Sequence, residues 1–111
     1  MIVCVPVTPD GDVDPRWGRA ARVAIATVDA GRITAWDEHA VAWDVLHDVG
    51  TAGGHHARVA AFLKDHGVEV VVAGHMGPRM AQMLAKMRIL ARTGAQGDAR
   101  AAVEHAGHLD G

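Results

Sequence analysis

The segment that most restricts this chain is VEVVVAG at 68–74, a nearly continuous apolar run rich in β-branched residues with a helical pattern on each side. A strand of that composition belongs at the centre of a sheet buried on both faces, because water on either face would leave half of its side chains exposed. Upstream, Val59, Phe62, Leu63 and His66 recur at helical spacing from His55 onward, and Gly67 takes the position after the helix where a left-handed conformation is cheap. Downstream, GHMGPRM leads into a second helix with Pro78 in its first turn, and Met80, Met83, Leu84 and Met87 keep one apolar face.

The flanks complete an α/β pattern. Residues 2–7 (IVCVPV) read as a buried first strand ending in the turn-forming TPDGD. Residues 21–29 and 32–39 read as strands joined by a hairpin turn at AGR, whereas 40–54, with no sustained period and a Thr-Ala-Gly-Gly end, reads as a loop. RILAR at 88–92 gives a short last strand, and Asp98 caps a terminal helix over 99–106, with His105 and His108 in a solvated tail. The expectation is one α/β domain over residues 1–111, with a mixed five-stranded sheet flanked by helices. The alternating second half implies right-handed crossovers and a parallel portion of the sheet.

Composition narrows the function. The formal net charge is −2 and the 11 Lys and Arg are scattered, so no basic footprint suggests nucleic acid as a partner. Cys4 is the single cysteine, which excludes an intrachain disulfide, a four-thiolate zinc site and an iron–sulfur cluster held by this chain's thiolates alone. That usage suits a reducing cytoplasm. MIVCVPVTPDGD lacks the features of a signal peptide, and no apolar stretch is long enough for a membrane span.

Histidine is the compositional outlier, with eight in 111 residues. His55 and His56 stand where a glycine loop meets a helix, and His75 stands in the loop after the central strand, where open α/β sheets bind ligands. Neutral imidazole binds Zn, Cu, Fe and Ni, so these three are the leading metal candidates, against the alternative of exposed loop histidines. His39 and His47 flank the unassigned segment and are able to swing to the same edge; exposed polar residues are the alternative there. His66 suits a structural role in a helix's last turn. Met80, Met83 and Met87 read as core rather than Cu(I) ligands, with Met76 beside His75 kept as a candidate, and Cys4 reads as an inert strand residue. Asp10, Asp12 and Asp14 alternate but lack the rest of an EF-hand loop. The amides of Gly74, Met76 and Gly77 in GHMGPR open a helix and form an anion site.

Taken in order, IVCVPV, RWGRA at 16–20, GHH at 54–56, FLKDHGVEVVVAGHMGPRM at 62–80 and GAQGDARAAV at 94–103 resemble the dinitrogenase iron–molybdenum cofactor biosynthesis family, the small domains related to NifX and to the C-terminal part of NifB. The resemblance spans nearly the whole chain. It implies a ribonuclease H-like fold without nuclease activity. The function it implies is holding, storing or delivering a molybdenum- or iron-containing metallocluster or its precursor, on a loop-lined face with few direct protein ligands; together with the histidines, the expected cofactor is a metal ion or metal–sulfur cluster containing Fe, Mo or Cu. It further implies a protein that donates or accepts the cargo, with the chain itself a monomer or homodimer. Arg16, Trp17 and Arg19 match the family's segment and become candidates to hold an anionic cluster, although Trp17 is also suited to covering the core's edge. Arg16 stands where many relatives have His, and His75 where many have Gly. Two other readings stay open: a metal-dependent hydrolase, which lacks an evident nucleophile or a general base tied to the histidines by spacing, and a metal-free regulatory or interaction domain.

Overall fold

A computed structural model describes the backbone of residues 1–110 and the side chains of residues 1–107. Five strands, β1 (Ile2–Pro6), β2 (Arg22–Asp29), β3 (Arg32–Ala40), β4 (Val70–Val72) and β5 (Leu90–Arg92), form one mixed sheet in the order β3-β2-β1-β4-β5. β1 pairs with β2 and β2 with β3 in antiparallel, while β1 pairs with β4 and β4 with β5 in parallel. The expected hairpin forms at Ala30 and Gly31, both at positive φ (51° and 76°), and Asp29 then faces Arg32.

Strand periodicity divides the core. Cys4, Val23, Ile25 and Val71 face one layer, built from α1 (Trp43–Leu46), α2 (Ala52–Asp65) and α3 (Pro78–Lys86). Val3, Val5, Ala24, Ala26, Val70 and Val72 face the other, closed by α4 (Ala99–Asp110) through Ala99, Val103 and Ala106. Helices on both faces explain why residues 70–73 carry no alternation: every side chain there is buried.

Three expectations need correction. The stretch 40–54 is not a loop throughout, because it holds α1 and the first turn of α2. Thr51 is the missed signal: its side chain accepts the Gly54 N–H at 3.0 Å and starts the helix three residues ahead of His55, despite two glycines of poor helical propensity. Residues 99–106 are only part of α4, which continues to Asp110, so His105 lies on an exposed helix face rather than in a tail. The cap on this helix is Asp98, as expected, with Oδ2 accepting from Ala101 N at 2.8 Å. The strand expected over 68–74 is ladder-paired only over Val70–Val72. The side chain of His108 lies outside the described residues.

Candidate anion-binding cleft

Parallel pairing of β1 with β4 sends the chain out of both strands at one edge of the sheet. The segment after β1 runs through Asp14 and Pro15 to a single 3-10 turn at Trp17–Arg19, and the segment after β4 runs through His75 to the start of α3. An isolated parallel bridge between Arg16 and His75 ties the two segments together. Asp14, almost fully buried, accepts the Arg16 N–H at 2.9 Å and fixes the turn into this loop.

Between these segments and the start of α2 lies a cleft of about 540 Å³. Its walls carry Arg16, Arg19 and Arg79, together with His47, His55, His56 and His75, and no Asp or Glu among the described residues. The chain as a whole is net negative, at −2, so this concentration of positive and protonatable groups is local. Met76, Gly77 and the first turn of α3 close one side. Among the described residues no side chain caps α3, which Gly77 precedes, so the helix's first amides are open to an anion at this end.

Trp17 forms part of the wall. It is 2% exposed, it packs edge-on against Trp43 with centroids 5.4 Å apart, and among the described residues its buried Nε1 has no hydrogen-bond partner. An unpaired buried N–H costs about 1–3 kcal/mol. The ring belongs to the core layer beneath the cleft.

His55 is held differently from its neighbours. Nε2 lies 2.8 Å from the Gly18 carbonyl and Nδ1 lies 2.9 Å from Nη1 of Arg58, which also donates to the Leu46 carbonyl at 3.1 Å. A carbonyl only accepts and a guanidinium only donates, so the proton sits on Nε2 and the Nδ1 lone pair is taken. Burial holds the His55 pKa below the ordinary histidine value; the Gly18 contact opposes this, and electrostatic interactions with His47, Arg58 and His56 add to the lowering. In this arrangement His55 offers no lone pair to a metal and instead ties α2 to the loop that carries Trp17. The side chains of His56, half-buried, and His75, exposed, make no hydrogen bond among the described residues. His47 contacts Asp48 through Nδ1 at 3.2 Å, and its ring lies 5.0 Å from that of His55.

The structure therefore gathers Arg16, Trp17, Arg19, His55, His56, His75, Met76 and Gly77 around one cleft. It does not bring His39 or Gly74 there. His39 faces α2 from β3 and packs against Phe62 and His66. Gly74 is a close-packing glycine, since a Cβ there would stand 3.2 Å from the Ala95 carbonyl oxygen and 3.4 Å from Pro15 Cα. Among the described residues no group of three or more His, Cys, Asp or Glu side chains is arranged to hold a metal ion. Met80, Met83 and Met87 pack on the core, and Met80 also reaches the cleft. Cys4 is fully buried, and burial pushes its thiol pKa up, so it is inert as a ligand. Sequence reasoning missed two participants. Arg79 follows the helix-starting Pro78, and Arg58 stands at i+3 from His55, a spacing that places the two on one helix face.

A family model described as dinitrogenase iron–molybdenum cofactor matches residues 1–108. No curated protein matches the sequence significantly. Among solved structures, the apo form of the orange protein from Desulfovibrio gigas aligns with a TM-score of 0.74 at 27% identity, covering 98% of this chain and 87% of that one. The protein PH0822 aligns at a TM-score of 0.76 and 19% identity, covering 96% and 89%. TM1290 from Thermotoga, described as a candidate NifB protein of the DUF35 family, aligns at 0.65 and 21%, covering 96% and 87%.

Proposed function

The chain belongs to the dinitrogenase iron–molybdenum cofactor family, and on that premise we propose that it is a non-catalytic carrier for an anionic metal–sulfur cluster or a metal-containing precursor anion, docked in the cleft at the carboxyl edge of β1 and β4. The observation that carries this reading is the cleft's charge: among the described residues three arginines and four histidines line it and no carboxylate does, in a chain of net charge −2. An anion entering it gains charge-assisted hydrogen bonds, the stronger kind, chiefly from Arg19 and Arg79, since Arg16 is already paired with Asp14.

In this reading Arg16, Arg19 and Arg79 face the cargo's outer sulfido or oxo atoms, and the first amides of α3 donate to it. His56, His75 and Met76 are the side chains free to ligate metal, and His55 positions the loop beneath them. Two exposed or half-buried imidazoles make a site from which cargo is able to leave, as delivery to an acceptor protein requires. The relative solved in an apo form is consistent with a protein that gains and loses a ligand. We read the fold as ribonuclease H-like on its strand order, as a single domain, and its setting as a reducing cytoplasm suited to such a cargo.

The test is elemental analysis and an absorption spectrum on protein purified anaerobically, followed by titration of metal-free protein with tetrathiomolybdate. The wild type should take up near-stoichiometric metal. A variant combining Arg19→Gln, Arg79→Gln, His56→Ala and His75→Ala should take up little while keeping its circular dichroism. Wild-type protein that ignores both the native cargo and the added anion would overturn the carrier reading.

A further inference from the structure

Away from the cleft, two histidines meet across different elements. His39 lies near the end of β3, opposite Val23 in the ladder, and His66 ends α2 with its own N–H bonded to the Phe62 carbonyl at 3.2 Å. Their ring centroids are 4.7 Å apart at an interplanar angle of 61°. Phe62 packs against both, 5.6 Å from His39 and 4.4 Å from His66. Both imidazoles are partly exposed, and among the described residues neither makes a hydrogen bond or ion pair. Neither lines the cleft.

We propose that His39 and His66 form a second metal site, a two-imidazole chelate for a late first-row divalent ion such as Cu²⁺, Ni²⁺ or Zn²⁺. A histidine nitrogen binds such an ion at about 2.0–2.1 Å, so two rings in adjacent coordination positions hold their centroids roughly 5 Å apart. The observed separation meets that requirement before any ion arrives. Rotation about χ2, which is broad for histidine, re-aims each nitrogen with little movement of the ring centroid, while the backbones are held by the β2–β3 ladder and the end of α2. Imidazole without thiolate or carboxylate favours Cu²⁺, Ni²⁺ and Zn²⁺ over Mg²⁺ or Ca²⁺, which take oxygen donors. Two protein donors leave the remaining positions to water, so the ion is exchangeable and also staples β3 to α2. This site does not depend on what the cleft carries.

Cu²⁺ is the probe, added to the chain carrying His56→Ala and His75→Ala so that these cleft imidazoles do not compete. Low-temperature electron paramagnetic resonance should show one tightly bound equivalent with two nitrogen ligands. His39→Gln and His66→Gln, each added to that background, should leave a single nitrogen and weaken binding by on the order of 100-fold, because the second imidazole binds intramolecularly. Binding that ignores both substitutions, or the absence of a tight equivalent, overturns the proposal. Loss with only one of the two reduces the site to a single surface imidazole and overturns the pair. If one variant fails to fold by circular dichroism, the other alone decides by the same two readings.

Discussion

Arg58 fixes the protonation state of His55: its Nη1 donates to Nδ1 at 2.9 Å, which leaves Nε2 to donate to the Gly18 carbonyl at 2.8 Å. One helix residue thereby joins α2, through the ring, to the turn that carries Trp17, and through the Leu46 carbonyl to α1. The cleft's floor is thus braced by a neutral imidazole, although positive groups surround it.

Removing this brace should be costly. His55→Ala deletes a buried side chain and leaves the Gly18 carbonyl and Arg58 without their partner, so a loss of about 2–3 kcal/mol is expected. Arg58→Ala should cost less, about 1 kcal/mol, because Nδ1 of the remaining histidine can turn to water. Urea denaturation of the two variants checks both the direction and the order, and equal, negligible losses would remove the brace from the account.

The burial of this ring sets a pH dependence. His55 has its folded pKa held below the ordinary value, chiefly by burial, so the unfolded chain binds more protons here than the folded one as pH falls below roughly 6.5. The stability contributed by this group is therefore full above that value and is lost as pH falls toward the folded pKa. Protonation would also turn Nδ1 into a donor facing a guanidinium, breaking the Arg58 contact. Urea midpoints taken between about pH 8 and pH 5 should fall more steeply for wild type than for His55→Gln. Parallel curves would assign the acid sensitivity to other groups.

Gly107 offers a test of the second core layer. In a helix interior Gly→Ala ordinarily stabilises, yet here a Cβ would stand 2.9 Å from Cγ1 of the buried Val28. Overpacking should win, and Gly107→Ala should lower stability by about 1–3 kcal/mol. Thermal unfolding of Gly107→Ala with and without Val28→Ala is the measurement; the second substitution should recover part of the loss by clearing the contact.

Much of the fold was legible because periodicity and turn chemistry agreed. The unbroken run at 70–73 demanded cover on both faces, and Asp98 and Pro78 marked helix starts by mechanisms that operate within a few residues. Thr51 was legible in principle, but Gly53 and Gly54 beside it argued against a helix, and tertiary contacts of His55 with Gly18 override that local preference. The cleft was legible as loops at one sheet edge. What spacing did not reveal was which imidazoles are already engaged: His55 and His56 are adjacent in sequence, yet one is buried and doubly bonded and the other is not. His39 lies in the wrong place for the cleft because its position in the β2–β3 ladder, opposite Val23, points it under α2.

The charge of the cleft yields the last prediction. Arg19 and Arg79 are exposed and make no ion pair among the described residues, whereas Arg16 is partly neutralised by Asp14, with Nε 3.4 Å from Oδ1. Substituting Arg19 or Arg79 by Gln should therefore weaken tetrathiomolybdate binding more than Arg16→Gln, by about 1 kcal/mol each, roughly fivefold in affinity. Raising ionic strength from about 0.05 M to about 0.5 M should weaken wild-type binding in the same sense, because screening acts on exposed charges, and should affect the Arg19→Gln/Arg79→Gln double variant less. Titration calorimetry at both salt concentrations separates the outcomes. If affinity in the double variant keeps the full salt dependence, the arginines are not what the anion meets, and the histidines and the amides of α3 would have to carry the binding alone.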